Sequence, residues 1–274
     1  RSGMTLPRAD SVIDLKNKII VPGLVNVHHH FFQSVTRAVP ITQKCSILEW
    51  LKYLYCLWAF LTPEDIRTAT RIAVGELLLS GCTPSSDFFY LFPQKNKQLF
   101  DVEIETAANM GIRLHAVRGC LPVLEGSLNR ELKALNIDTS LLIEDKIEIL
   151  AESERVIDKY HDESPFSMTQ VGIGPTTVDY KDIKFSRKLK ELAREKNLLF
   201  HFHLHPRPDE RELCFRLYNQ GPLEHLERIG WLDKNTFIAH ATNHSPEDIA
   251  VLARNGVSIS HSPSCHMRMG YNVA

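Results

Sequence analysis

Short apolar runs that end in polar residues or histidine alternate along this chain with longer segments of helical period. Seven such runs lie near residues 19–28, 82–87, 112–118, 168–174, 198–203, 235–240 and 256–261. Parallel strands need a crossover between them, and most of the intervals are long enough to hold a helix. Within the intervals Ile66, Ala69, Ala73, Val74 and Leu77 share one helical face, as do Phe185, Leu189, Leu192 and Ala193. Gly81, Gly111 and Gly256 each stand between a helical segment and the next apolar run, where a left-handed helix cap is usual. The pattern predicts an α/β fold, a TIM-type (β/α)8 barrel of the metal-dependent hydrolase kind. Only seven strands can be found, so the barrel is expected to be incomplete, with strand eight missing and unpaired edges left open.

Residues 1–18 are polar and irregular, and Leu15-Lys16-Asn17-Lys18 reads as a turn into the first strand. The expected organisation is a remnant of an N-terminal segment over 1–18, such as the end of a β-sandwich, followed by a barrel domain over 19–274 truncated at its C-terminus. A chain that starts at Arg1 and lacks an eighth strand is expected to be a piece of a longer protein.

The 274 residues, 43% of them hydrophobic, suffice for one sizeable core. Lysine plus arginine (32) nearly balances aspartate plus glutamate (33), so no broad electrostatic footprint selects nucleic acid or an anionic membrane. No apolar run approaches the roughly 20 residues of a membrane span. A small-molecule partner is expected, and a homo-oligomer is compatible with that class. The six cysteines are scattered, with no CxxC pair, which argues against a thiolate zinc site and for a reducing cytoplasmic location.

The chemistry lies in the histidines. Asn26-Val27-His28-His29-His30 closes the first predicted strand, and alternation across a strand should point His28 and His30 the same way. An isolated HxH is as often a pair of solvated loop histidines. Here, however, histidine recurs at the ends of the fifth strand (His201-Phe202-His203-Leu204-His205), the sixth (His240) and the seventh (His261). The ends of barrel strands carry the active site in this architecture. Imidazoles without thiolates suit one zinc ion, with iron second. His115, His161, His225 and His266 lack such spacing and are expected to be surface or satisfied polar positions.

The run Val21-Pro22-Gly23-Leu24-Val25-Asn26-Val27-His28-His29-His30 resembles the opening signature of the amidohydrolase superfamily. The similarity continues through Thr36-Arg37-Ala38, Trp50-Leu51, Leu61-Thr62-Pro63-Glu64 and Glu76-Leu77-Leu78-Leu79-Ser80-Gly81-Cys82-Thr83. It resumes at His201-Phe202-His203-Leu204, Ile229-Gly230-Trp231-Leu232, Ala239-His240, His261-Ser262-Pro263-Ser264 and Met267-Arg268. These segments are similar to the branch containing 8-oxoguanine deaminases, triazine hydrolases and guanine deaminases. The resemblance implies a metal held by His28, His30, His203 and His240, with an aspartate after an eighth strand. It implies hydroxide attack on an amidine-like ring carbon and loss of ammonia, the metal having lowered the pKa of water from 15.7 toward about 7. It also implies that Gln33 and Arg118 approach the substrate, a purine-like or related N-heterocycle.

Two departures from the family pattern bear on activity. The proton-shuttling glutamate of the fifth-strand motif HxHxxE is replaced by Pro206, for which His205, Asp209, Glu210 or His261 would have to substitute. Asn243, with His244 beside it, stands where the family commonly has a second histidine after the sixth strand. The expected function is a metal-dependent hydrolase of non-peptide carbon–nitrogen bonds, an aminohydrolase of N-heterocycles. The alternatives are a catalytically impaired homologue and a triazine-type hydrolase of C–Cl or C–N bonds.

Overall fold

The computed structural model describes residues 8–124, 126–204 and 208–270. Seven strands form one parallel sheet in sequence order: β1 (Leu24–Asn26), β2 (Cys82–Phe89), β3 (Arg113–Cys120), β4 (Thr169–Pro175), β5 (Phe200–Leu204), β6 (Thr236–His240) and β7 (Ser258–Ser260). Each expected apolar run overlaps one of them. The helices are α1 (Ile47–Trp58), α2 (Pro63–Leu79), α3 (Gln98–Met110), α4 (Gly126–Ala134), α5 (Lys146–Tyr160), α6 (Ile183–Glu195), α7 (Pro208–Tyr218), α8 (Pro222–Arg228), α9 (Pro246–Arg254) and α10 (Pro263–Met269).

The sheet is curled but not closed. His28, just after β1, touches His201 and His203 on β5, so the first strand's end has swung round to the fifth. Yet β1 pairs only with β2, and β7 only with β6, which is the incomplete barrel that seven runs predicted.

Side-chain alternation divides the strands into two faces. On β5, Phe200 and Phe202 turn outward and pack on Trp231, each ring about 5.0 Å from the indole. His201 and His203 therefore face the interior, where Phe88 meets both. The inner faces of the helices are those that periodicity marked: Ile66, Ala69, Ala73 and Val74 of α2 are buried, as are Phe185, Leu189, Leu192 and Ala193 of α6. Gly81, Gly111 and Gly256 have positive φ values of 85°, 82° and 65°, so the turns from α2, α3 and α9 into the next strands use the left-handed region as expected.

The first strand differs from its expected extent. Ile19, Ile20 and Val21 are strongly exposed, and pairing starts only at Leu24. Pro22 offers no N–H to a ladder, and the β1 register slips, Leu24 facing Cys82 and Asn26 facing Ser85. His28 and His30 thus lie beyond the strand, and their common direction must come from something other than strand alternation. Leu15–Lys18 form the expected turn, the Lys18 N–H donating to Leu15 O at 3.0 Å, and residues 8–18 are exposed. No helix among the described residues is long and apolar enough to cross a membrane.

Two glycines test the packing in opposite directions. A Cβ at Gly174 would sit 1.7 Å from the His201 carbonyl oxygen, inside the β4–β5 contact, whereas one at Gly75, within α2, would find only Met110 Cε at 3.8 Å. Gly174→Ala is expected to lower the unfolding free energy by about 1–3 kcal/mol through overpacking. Gly75→Ala should raise it by about 0.5–1 kcal/mol. Urea denaturation of both variants measures the signs; equal effects would contradict this packing.

Candidate metal centre

The C-terminal ends of β1, β5 and β6 bring four imidazoles together. Ring centroids are 4.8 Å apart for His28 and His30, 4.9 Å for His28 and His203, and 5.5 Å for His28 and His240. They are 5.2 Å apart for His30 and His203 and 5.3 Å for His203 and His240. One ring nitrogen from each of His28, His203 and His240 lies within 4.8 Å of the others. The Nε2 atoms of His30 and His203 are 3.2 Å apart.

The other nitrogen of each ring decides what these atoms can do. A carbonyl oxygen only accepts, so a ring nitrogen bonded to it must carry the proton. His30 Nδ1 donates to Phe88 O at 2.7 Å, His203 Nδ1 to Thr176 O at 2.9 Å, and His201 Nδ1 to Phe237 O at 2.8 Å. Burial pushes His30 and His201 down to about 3 and His28 well below its ordinary value, so these three rings are neutral at pH 7. Neutral His201 then presents a lone pair at Nε2. It accepts from His28 Nδ1 at 2.8 Å, which leaves the lone pair of His28 on Nε2. That atom is buried with no hydrogen-bond partner. At the 3.2 Å contact the Nε2 lone pair of neutral His30 is turned toward His203 Nε2. Lone pairs so arranged repel unless a cation lies among them, and the donor set therefore fits a divalent ion of the imidazole-binding kind.

These same bonds orient the segment after β1. Phe88 N donates to His29 O at 2.8 Å while Phe88 O receives His30 Nδ1. His28 and His30 thus converge because β2 and β5 hold them. The turn after β6 is also unusual: His240 and Ala241 have φ values of 76° and 49°, in the left-handed region that residues other than glycine seldom occupy.

Two histidines outside the expected set belong to this cluster. His201 orients His28. His266, expected to be a surface or satisfied position, is buried with Nε2 3.2 Å from His240 Nδ1, because α10 folds back over the mouth of the sheet. His201 was visible in the sequence through its parity with His203; His266 has no comparable signal. The other histidines behave as polar positions with partners. His161 accepts from Val171 N, His115 bonds to Ser86 Oγ, and His225 stacks on Tyr218 at 4.0 Å. His244 lies 3.5 Å from Asp248, and Asn243 O accepts from Arg211.

A cavity of about 1060 Å³ opens over the cluster, lined by His28, His30, His203 and His240 together with Gln33, His261 and apolar side chains of α1 and α4. Tyr90 and Tyr55 also line it, and burial pushes both phenols up, Tyr55 to about 12. Arg118 is not brought there. It points outward from β3, stacks on Phe92 at 4.1 Å and is taken up by Glu144 in a buried ion pair. His205 and Pro206 lie outside the described residues, as do the side chains of Asp209 and Glu210.

Comparison with known proteins agrees with this architecture. The chain is 34% identical over 263 residues to the 8-oxoguanine deaminase of Pseudomonas aeruginosa, covering 96% of this chain and 57% of that protein. It is 29% identical to the hydroxydechloroatrazine ethylaminohydrolase of Pseudomonas sp. strain ADP, over 96% of this chain and 53% of that one. The chain thus spans about half the length of these curated relatives. Among solved structures, the atrazine chlorohydrolase of Arthrobacter aurescens TC1 complexed with zinc superposes with a TM-score of 0.82 at 28% identity, over 92% of this chain and 56% of that one. The guanine deaminase of C. acetobutylicum shares the fold with a TM-score of 0.78 at 24% identity, over 97% and 60%. Residues 19–273 match the amidohydrolase family, and with its open parallel barrel and strand-end histidines the chain belongs to that family.

Proposed function

We propose that this chain forms the metal-holding part of a hydrolase that cleaves a non-peptide carbon–nitrogen bond on a purine-like or related N-heterocycle. In this reading His28, His30, His203 and His240 hold one zinc ion. The observation that carries it is the convergence of four imidazoles, with the Nε2 lone pairs of His28 and His30 left over when their Nδ1 atoms are bonded elsewhere. Zinc is preferred to iron because the donors are nitrogen and a structural relative carries zinc. When bound, such an ion acts as a Lewis acid that makes hydroxide available near neutral pH.

The chain's own residues then bind and orient the ring. The cavity walls include Trp50, Leu51 and Tyr90, flat or apolar surfaces suited to a planar heterocycle, and Gln33 supplies an amide at the same wall. Among the titratable groups lining the cavity, Asp179 is engaged by Lys146 and Glu76 by Arg37. We assign the movement of a proton to His261, which lines the cavity close to His266. Six free cysteines support a reducing, cytoplasmic location.

A second reading rests on Pro206, which has no proton to give. Displacement of a group that leaves without protonation, such as chloride from a triazine, would tolerate its presence.

On the full-length protein, zinc-dependent ammonia release from at least one member of a purine and pyrimidine panel is expected. Chloride release from chlorotriazines without any ammonia would favour the second reading, and neither product would refute hydrolysis. His201→Leu removes the acceptor for His28 Nδ1 and should weaken zinc binding about 10–100-fold, as loss of a partner behind a ligand does. Competition with a chromogenic chelator measures this; unchanged affinity would show that His28 needs no such partner.

A further inference from the structure

Behind the histidine cluster lies a pair of acidic side chains with no role in the reading above. Asp87 on β2 and Glu103 on α3 are both fully buried. Asp87 Oδ1 accepts from the backbone N–H of Phe31, the residue after His30, at 2.5 Å. Its other oxygen and both oxygens of Glu103 meet no donor as carboxylates. The two carboxyl groups are close enough to interact, and two such groups can bond only through a proton held between them. No lysine or arginine among the described residues offsets the pair. His29 Nδ1 lies 3.9 Å from Asp87 Oδ1, beyond hydrogen-bond distance. Burial raises both carboxyl groups well above their ordinary range, which agrees with a shared proton.

Apolar residues of similar size would fill this space without desolvating acids. What they would not supply is an acceptor for the Phe31 N–H. That bond completes a run of three: Phe88 N to His29 O, His30 Nδ1 to Phe88 O, and Phe31 N to Asp87. Residues 29–31 are thereby fixed against residues 87–88, on the segment that presents His28 and His30.

Resting on the metal reading above, we propose that Asp87 and Glu103 are positioning residues for the metal centre. Asp87 pins the His28–His30 segment through Phe31, and Glu103 fixes Asp87 by sharing one proton with it. The pair touches neither metal nor substrate. Its contribution is the placement of two imidazoles before any ion arrives.

The test compares zinc affinity, by chelator competition, with the thermal midpoint of the metal-free full chain for wild type, D87V/E103L and D87N. D87V/E103L removes both buried acids together, a change that need not destabilise the fold. It leaves the Phe31 N–H without its acceptor but removes two desolvated acids, so its melting midpoint should move little while zinc binding weakens about 10–100-fold. In D87N the amide oxygen still accepts from Phe31 and the amide nitrogen donates to Glu103, so wild-type affinity is expected. Undiminished affinity in D87V/E103L overturns the proposal. So does a tenfold or greater loss in D87N, a result that decides the matter even if the double variant fails to fold. Absence of zinc binding by wild type would instead overturn the metal reading.

Discussion

Everything at this centre depends on a constraint that a neutral imidazole cannot escape: with one nitrogen protonated, the other is a lone pair. Backbone carbonyls of Phe88, Thr176 and Phe237 impose the proton's position on His30, His203 and His201, and His201 passes the constraint on to His28. The outcome is a cluster of acceptors facing one another in a buried space, an arrangement that is unfavourable without a cation. The sheet's curl matters because it brings β1, β5 and β6 close enough for their ends to share that space. The buried acids behind β2 belong to the same logic, since they hold backbone rather than ligand.

Much of this was legible in the sequence. Apolar runs marked every strand, helical periodicity marked the buried faces of α2 and α6, and glycines marked three turns. The family resemblance at residues 21–30 and at the later strand ends named the four histidines that the fold brings together. The reason offered for His28 and His30 was incomplete, however. They converge through bonds to β2 and β5, partners more than fifty residues away that no local pattern reveals. His266 and Asp87 stayed hidden for the same reason: their roles arise from tertiary contacts with His240 and Phe31. Arg118 shows the converse, a position marked by resemblance whose guanidinium the fold turns away toward Glu144.

The cavity's lining runs across the strand ends from β1 to β7, where the histidines sit. It includes apolar side chains of α1 and Leu128 of α4 together with Gln33, Tyr90 and Tyr55. In the proposed reading, a flat heterocycle lying at these residues would meet the metal at one edge and carbon surface over its face. In the same reading, Pro206 in place of an acid in the fifth-strand motif would change how protons leave that edge, with His261 as the residue to test for the chemical step.

The most direct measurement is X-ray absorption at the zinc edge of the metal-loaded protein. Four imidazoles around one ion should give a first shell of nitrogen and oxygen at about 2.0–2.1 Å. Outer-shell scattering from several imidazole rings should accompany it. A sulfur shell at about 2.3 Å, or scattering from no more than one imidazole, would contradict a centre built on His28, His30, His203 and His240.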